Sequence, residues 1–300
     1  MPVRIIWHPS SLDHDPGPGH PESPDRLKAI LEELRGPAYS QIVNWSEAAP
    51  AEARLLERVH PPAYLERLEA MCRRGGGMMD GDTFLSAGSH LAAIHAAGAA
   101  VEAARTAFEG QPALAVIRPP GHHATGDTAM GFCLINNVVV AARFALEDLA
   151  AERVLIVDWD VHHGNGTQAL VERDPRIRFV SLHQSPLYPG TGREDERGVG
   201  NIFNVPRPPG LPPETYVADL NAAVGRATDG WQPNLILISA GFDAMAGDPL
   251  AGFTLEPDAY ATWVREWRKM DVPIGAVLEG GYVPERIRLA AGETVRALAD

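Results

Sequence analysis

Two aspartates and two histidines directly follow an apolar run in the stretch VLIVDWDVHHGNGTQ, residues 154–168. In an extended segment, residues i and i+2 point to the same side, so the side chains of Asp160 and His162 converge while Val161 points away. A carboxylate and an imidazole placed in this way can bind one cation. Carboxylates at the end of a buried strand also serve as capping or ion-paired groups, and an isolated Asp-x-His pattern favours that structural role.

A third carboxylate, Asp243, changes the interpretation because it follows a second apolar run, LILISA, residues 235–240. Two carboxylate oxygens and one histidine nitrogen leave a coordination position free for water, which is typical of a catalytic rather than a structural zinc site. The sequence therefore predicts a catalytic metal centre formed by Asp160, His162 and Asp243.

Two further reactive groups follow turn-forming residues. His122 and His123 come after the segment RPPG, and a rigidly held pair of histidines is better explained as acid/base machinery than a single histidine would be. Tyr282 follows Gly280 and Gly281, which allow a close approach of the backbone. An amphipathic surface role would explain the tyrosine, but a phenol near a metal can instead donate a hydrogen bond to a developing oxyanion.

The elements that position these residues can be predicted from periodicity. Apolar runs indicate seven strands, at 4–8, 114–117, 153–159, 177–183, 201–205, 235–240 and 274–279. Helical periodicity occurs between most of them, at 89–108, 136–149, 213–229 and 257–270. Strands that alternate with helices imply right-handed crossovers and a mostly parallel sheet. We therefore expect one α/β domain over residues 1–300.

The reactive residues lie just after four of these strands. In an open α/β sheet, ligands bind outside the carboxyl ends of the strands. The histidine pair follows 114–117, the Asp/His cluster follows the apolar part of 153–159, Asp243 follows 235–240 and Tyr282 follows 274–279. The rule predicts that all of them meet at one face of the sheet.

Composition narrows the class of protein. The chain has 300 residues, 45% of them hydrophobic, and no apolar run of membrane-spanning length, so we expect a cytoplasmic protein that does not bind membranes. Its net charge of −13 gives no basic footprint for nucleic acid and would attract cationic substrates. The two cysteines lack metal-binding spacing, and the richness in Ala, Gly and Pro fits GC-rich bacterial coding.

Other conspicuous residues have structural interpretations. The glycine run 75–77 lacks the context of a phosphate-binding loop and is expected to be a flexible loop. The remaining histidines that lie away from the strand ends are expected to pack or to face solvent; these are His8, His60, His90 and His95.

The motifs together resemble the histone deacetylase family, which includes bacterial histone-deacetylase-like amidohydrolases and acetylpolyamine amidohydrolases. The similar segments are GHPESPDRL (19–27), RPPGHHA (118–124), GFCLINNVVVAA (131–142), VDWDVHHGNGTQ (157–168), SLHQSPLYPGTG (181–192), GFDAMAGDPLAG (241–252) and LEGGY (278–282). The resemblance covers nearly the whole chain and implies the single-domain, three-layer arginase/deacetylase fold with a mostly parallel central sheet.

The resemblance also implies roles for the reactive residues. It places Zn²⁺, one per chain, on Asp160, His162 and Asp243. The other implied roles are a general base that becomes the acid for the leaving amine (His123), its electrostatic partner (His122), a phenol that polarises the acyl carbonyl (Tyr282) and two residues that orient the histidines (Asp158 and Asn165).

Asn165 stands where one branch of the family has Asp and the class II branch has Asn. A neutral amide orients His123 but stabilises its cationic form less than a carboxylate would, so a lower pKa of His123 is expected. The chain is therefore placed nearer class II.

Two further sites are implied by the resemblance. A structural monovalent cation, K⁺, would be held mainly by backbone oxygens of Asp158, Asp160, His162, Ser181 and Leu182. The substrate tunnel would have aromatic walls, a floor contact, a carboxylate at its rim and a residue at its mouth; these are Phe132 with Tyr188, Gly131, Asp82 and Leu250 respectively.

Deacetylation of an acetylated primary amine is thus the leading function, with hydroxamates as expected inhibitors. A leucine at position 250 favours acetyl-lysine peptides or uncharged amides, whereas Asp13, Asp15 and Glu22, expected near the rim, favour a cationic acetylpolyamine. A catalytically silent protein that binds acyl groups is an alternative. An arginase-like manganese hydrolase is disfavoured because it needs further aspartates in DVHHG and GFDA. The sequence does not decide between acyl chains of different length, between a monomer and a homo-oligomer, or between zinc and iron as the metal in vivo.

Overall fold

The computed structural model describes residues 1–300 and has ten strands and nine α-helices. The strands are β1 (Val3–Trp7), β2 (Val43–Glu47), β3 (Gly76–Met78), β4 (Phe84–Ser86), β5 (Ala113–Ala115), β6 (Val154–Asp158), β7 (Ile177–Gln184), β8 (Ile202–Arg207), β9 (Leu235–Ala240) and β10 (Ile274–Leu278). The helices are α1 (Pro24–Leu34), α2 (Ala53–Leu56), α3 (Pro62–Arg73), α4 (Ser89–Phe108), α5 (Asn137–Asp148), α6 (Asn165–Val171), α7 (Pro213–Thr228), α8 (Pro257–Arg268) and α9 (Pro284–Ala299).

Eight strands form one sheet in the order β2-β1-β5-β10-β9-β6-β7-β8, and every pair in it is parallel. Strands β6, β9 and β10 are buried along their whole length, as expected where helices cover both faces of a parallel sheet. The edge strand β8 contains Pro206, a residue that a central strand would not tolerate.

Helices form a layer on each side of the sheet. Helix α4 packs on α5 and on β10, whereas α8 packs on α9 and α9 packs on α1. The predicted three-layer α/β domain is confirmed, and its sheet is entirely rather than mostly parallel. None of the helices combines the length and apolar character that crossing a membrane requires.

The structure corrects one predicted loop. Residues 76–78 of the glycine run form β3, which pairs with β4 as a small antiparallel hairpin outside the main sheet. Gly76 has φ of +103°, and a Cβ at this position would overlap the backbone of Leu85. Glycine is therefore used here for a close backbone approach within a hairpin, and the hairpin carries Asp82 toward the reactive face.

An aromatic cluster supports the end of β6. Trp159 is fully buried, and its ring lies 5.7 Å from that of Trp263 and 5.8 Å from that of Trp267, both on α8. Tyr260 of the same helix packs edge-on against it at 5.4 Å. Because Trp159 lies between Asp158 and Asp160 in the chain, this packing fixes the segment that carries both carboxylates.

Candidate active site

The three predicted metal ligands meet beyond the carboxyl ends of β6 and β9, which are neighbours in the sheet. His162 Nδ1 lies 3.1 Å from Asp160 Oδ1 and 3.1 Å from Asp243 Oδ2. All three side chains are buried, and one potential ligand atom of each lies within 4.8 Å of the others. Two oxygens and one nitrogen at this spacing fit a divalent ion such as zinc.

Backbone groups hold the two carboxylates in place. Gly280 N–H donates to Asp160 Oδ2 at 2.8 Å, and Val161 N–H donates to Asp243 Oδ1 at 2.8 Å. Each carboxylate therefore keeps its second oxygen turned toward His162. Such outer contacts orient ligands and tune their affinity for a metal.

The cluster carries excess negative charge that a cation would neutralise. Burial, reinforced by the charge of Asp160, raises the pKa of Asp243 to about 7. Burial lowers the pKa of His162, but the hydrogen-bonded carboxylates of Asp160 and Asp243 outweigh it and raise that pKa to about 10. Metal binding requires a neutral imidazole and ionised carboxylates, so the donor set suits a metal that displaces a proton.

The tandem histidines lie beside this cluster, in the loop after β5, with ring centroids 4.0 Å apart. His122 Nδ1 lies 3.0 Å from Asp158 Oδ2, and His123 Nδ1 lies 2.8 Å from Asn165 Oδ1. The amide oxygen of Asn165 only accepts, so Nδ1 of His123 carries the proton and its Nε2 keeps a free lone pair.

The two rings are held in different charge states. Burial lowers the pKa of His122, but the charges of Asp160 and Asp158 outweigh burial and raise it well above the ordinary value. Burial and the nearby charges of His122 and His162 lower the pKa of His123 well below the ordinary value. At neutral pH a cationic imidazole therefore lies next to a neutral one.

Glu279 is a site residue that the sequence analysis missed. It ends the apolar run of β10, and its Oε2 accepts hydrogen bonds from Gly121 N–H at 2.7 Å and His122 N–H at 3.1 Å. It thus anchors the turn that presents both histidines. Burial raises the pKa of Glu279 to about 7. With His122 and Cys133 it forms a second close group of metal-ligating residue types.

Tyr282 reaches the same place from the loop after β10. Its ring packs edge-on against Phe132 at 5.9 Å, and the guanidinium of Arg26 lies 5.0 Å from its centroid. Burial and the charge of Asp243 raise the pKa of the Tyr282 phenol well above its usual range. The phenol therefore keeps its proton and can act as a hydrogen-bond donor.

A pocket of about 200 Å³ connects these groups to solvent. All five residues predicted for the tunnel line it, together with three reactive side chains and one residue not predicted; the lining is Asp82, Gly131, Phe132, Tyr188, Leu250, His123, His162, Tyr282 and Leu187. The aromatic ring of Tyr188 is 39% exposed, so this wall reaches the surface.

The floor requires glycine at position 131. Its φ is +55°, and a Cβ there would lie 2.9 Å from His123 Cγ and 3.0 Å from Tyr188 Cε1. Phe132 also has a left-handed backbone, with φ of +67°, and its N–H is held by Thr83 Oγ1 at 3.0 Å. Non-glycine residues seldom adopt this conformation, and local contacts must enforce it.

Comparison with known proteins agrees with this geometry. A model of the histone deacetylase domain matches residues 20–298. A probable deacetylase from Archaeoglobus fulgidus is 37% identical, with 95% of this chain and 82% of the relative covered, and a histone deacetylase-like amidohydrolase from Pseudomonas aeruginosa is 40% identical, with 88% and 73% covered. The crystal structure of the HDA15 HD domain superposes with a TM-score of 0.95 at 33% identity and covers 99% of this chain and 88% of that one.

The chain belongs to the histone deacetylase family. The resemblance seen in the sequence motifs is thereby confirmed, and so is the arginase/deacetylase fold. Membership of this deacetylase and amidohydrolase family indicates a hydrolase. The roles of individual site residues remain predictions.

The predicted position of Glu22, near the rim of the pocket, is wrong for this member of the histone deacetylase family. Glu22 does not lie at the rim but is fully buried, where its carboxylate pairs with Arg118 at 2.6 Å and with Arg26 at 2.7 Å. Asp13 and Asp15 are exposed, as expected. Proximity in sequence to exposed residues such as Asp13 and Asp15 does not imply exposure, because the two arginines hold the Glu22 carboxylate in the interior.

The residues predicted for the monovalent cation come from adjacent strands. Asp158 at the end of β6 is in register with Ser181 of β7, and Leu182 follows it. Ser181 Oγ hydrogen-bonds with His183 Nδ1 at 2.9 Å. The structure thus brings the five residues to the end of β6, the loop after it and the adjoining part of β7, and the cation itself stays a prediction.

Proposed function

We propose that this protein is a zinc-dependent amidohydrolase that removes the acetyl group from an acetylated primary amine, releasing acetate and the free amine. One observation carries the proposal: the reactive groups converge at a buried position beside one pocket. There, three metal-ligand side chains, a neutral histidine with a free Nε2 and a protonated phenol lie together.

The proposed mechanism divides the work among these groups. The chemistry that zinc supplies when held by Asp160, His162 and Asp243 is Lewis-acid polarisation of the acyl carbonyl and activation of water. His123 Nε2 takes a proton from the attacking water and later gives it to the leaving amine. The cationic ring of His122 stabilises the negative charge that develops beside it, and Tyr282 donates a hydrogen bond to the acyl oxygen.

The pocket favours an acetylated alkylamine chain. Phe132 and Tyr188 provide aromatic walls between which an unbranched aliphatic chain can pack, in a pocket of about 200 Å³. Leu250 lines the same pocket, so the side chain at the expected gating position is apolar. Acetyl-lysine or a related small acetylated amine is thus the preferred substrate.

An acetylpolyamine is the second candidate. The overall negative charge supports it, and Asp82 lines the pocket. Asp13, Asp15 and Glu22 were the acidic residues that favoured a cationic substrate. Because Glu22 is buried, it no longer supports that choice. Leu250→Glu would restore an acidic group at the pocket, so it should shift the ratio of kcat/KM values from acetyl-lysine peptide toward acetylspermidine.

The same proposal includes three finer expectations. Hydroxamates should inhibit by binding the open metal position. Backbone oxygens at the end of β6, in the loop after it and within β7 should hold a structural K⁺. The richness in Ala, Gly and Pro favours a bacterial source.

Metal content and turnover test the function together. Asp160→Ala and Asp243→Ala should each reduce bound zinc to well below one equivalent and abolish turnover of an acetyl-lysine reporter, because each removes one of three ligands. A metal-free variant that retains full activity would contradict the metal site. Wild-type protein that binds zinc yet turns over no acetyl-lysine peptide, acetylputrescine, acetylspermidine or longer acyl amide would support the silent acyl-binding alternative.

A further inference from the structure

Asp248 joins two loops that the proposed chemistry needs. It lies in the loop after β9, is only 7% exposed, and accepts two backbone hydrogen bonds. Its Oδ2 accepts from Tyr282 N–H at 2.9 Å, and its Oδ1 accepts from Leu250 N–H at 3.0 Å. One buried carboxylate therefore connects the backbone of the phenol-bearing residue with the backbone of the residue at the pocket mouth.

Tyr282 needs such an anchor because two glycines precede it. Gly281 has φ of +114°, and the carbonyl of Glu279 before it is held by the guanidinium of Arg26. The N–H of Tyr282 itself has Asp248 as its partner. A glycine-rich segment adopts many conformations, so contacts of this kind decide where the following side chain lies.

Asp248 does not line the pocket, and its two hydrogen bonds use both carboxylate oxygens. It therefore lies behind the pocket lining and not among the residues that would contact a substrate. Asp248 can therefore affect the reaction only through Tyr282 and Leu250, whose backbone N–H groups it binds.

We propose that Asp248 is a positioning residue that aligns the Tyr282 hydroxyl with the acyl oxygen and couples this alignment to the loop carrying Leu250. The inference rests on the proposed function, because it requires Tyr282 to act as the oxyanion donor. A shift of the loop that displaces the phenol would weaken a hydrogen bond made in the transition state and leave ground-state binding largely intact.

Asp248→Asn tests the coupling in two backgrounds. The amide oxygen still accepts one N–H, but the amide nitrogen cannot accept the other, so one of the two loops loses its anchor. In the otherwise wild-type enzyme we expect kcat for an acetyl-lysine peptide to fall about 10- to 100-fold, with KM changed by less than about threefold. In a Tyr282→Phe background the same change should cause no further fall, because the hydroxyl that Asp248 positions is already absent.

Controls separate positioning from a general effect on the fold. Asp258→Asn removes an exposed carboxylate on α8 and should leave kcat unchanged. Zinc content and the melting temperature are measured for every variant, so that a loss of metal or of structure is visible apart from turnover. If Asp248→Asn does not fold, Asp248→Glu keeps the charge and both acceptors but displaces them by one methylene, so kcat should again fall in the otherwise wild-type enzyme and not fall further in the Tyr282→Phe background.

The outcomes are distinguishable. An equal fall in kcat in both backgrounds, or wild-type kcat in the single variant, would overturn the positioning role and leave the proposed function standing. Near-normal kcat in Tyr282→Phe alone would overturn the role of Tyr282 in the proposed function, and the inference about Asp248 would fall with it.

Discussion

His122 and His123 are adjacent in sequence and buried side by side, yet their environments separate their charge states. Each Nδ1 contacts a different kind of oxygen: a carboxylate from Asp158 for His122 and a neutral amide from Asn165 for His123. A pair of titratable groups with pKa values driven apart is a frequent sign of divided acid and base roles. The division has several causes. The charges of Asp160 and Asp158 outweigh burial and raise the pKa of His122. Burial and the charges of His122 and His162 lower the pKa of His123.

Asn165→Asp should move the pH dependence of the reaction. A carboxylate beside Nδ1 stabilises the cationic ring, so the pKa of His123 should rise from its present low value. The general base must be neutral, and activity is lost as pH falls through this pKa. The acidic limb of the kcat/KM profile should therefore shift to higher pH, by about one unit.

The profile would be measured with an acetyl-lysine reporter from acidic to alkaline pH. Asn44→Asp, which adds the same charge on the edge strand β2, is the matched control and should leave the limb in place. If the acidic limb of the kcat/KM profile of Asn165→Asp stays in place or moves to lower pH, His123 is not the general base.

Tyr282→Phe should separate chemistry from binding. The ring, its packing on Phe132 and its contact with Arg26 are retained, and only the hydroxyl is lost. Removal of one oxyanion donor typically lowers kcat by about 10²- to 10³-fold. We expect this fall with zinc retained and KM within a few-fold, measured by steady-state kinetics. A raised KM with kcat intact would assign the phenol to ground-state binding.

At the scale of elements, the site depends on the order of four strands. The reactive loops follow β5, β6, β9 and β10, which are distant in sequence but form the central block β5-β10-β9-β6 of the sheet. Because these strands are parallel, all four loops leave the sheet at the same edge. The order brings Glu279 beneath the histidine turn and Asp243 beside His162.

This order marks the limit of what the sequence could predict. Apolar runs at 114–117, 153–159, 235–240 and 274–279 identified β5, β6, β9 and β10, and the rule for open α/β sheets predicted that their reactive ends share one face. Periodicity says nothing about which strand lies next to which, so the contacts of Glu279 and Asp248, which join different loops, could not be foreseen. The edge strand β2 was missed because its residues are mostly half-buried and lack an apolar run.

Glu279→Ala should destabilise the protein through two orphaned N–H groups. Each buried donor left without an acceptor costs about 1–3 kcal/mol, so the free energy of unfolding should fall by at least about 2 kcal/mol. Urea denaturation of the metal-loaded protein measures it. Glu279→Gln keeps a carbonyl acceptor and nearly the same volume, and should lose less than half as much. Equal stability of the two variants and the wild type would show that Glu279 does not anchor the turn.

At the scale of the whole molecule, charge is the dominant feature. The chain has 39 acidic and 26 basic residues, and its net charge of −13 gives the molecule an overall negative field. Much of the reactive charge is buried and compensated locally, as for Glu22 between two arginines. The long-range field comes from the remaining surface acids.

Ionic strength should therefore discriminate between substrates. For acetylspermidine, which is cationic, kcat/KM should fall about three- to tenfold when salt rises from about 20 to about 300 mM, because salt screens the attraction. For a neutral acetyl-lysine peptide the same change should have little effect. If both substrates respond equally, the field plays no part in substrate capture.

The three stacked indoles behind β6 give the molecule an optical property. Trp159, Trp263 and Trp267 account for half of the six tryptophans and lie in one rigid, fully buried group. Near-ultraviolet circular dichroism reports fixed aromatic packing and disappears when that packing loosens. Since Trp159 is covalently flanked by Asp158 and Asp160, the ellipticity of this group should respond when the carboxylates change their positions. The chain thus contains an intrinsic chromophore beside the proposed metal ligands, and ion uptake should be observable through it without substrate or label.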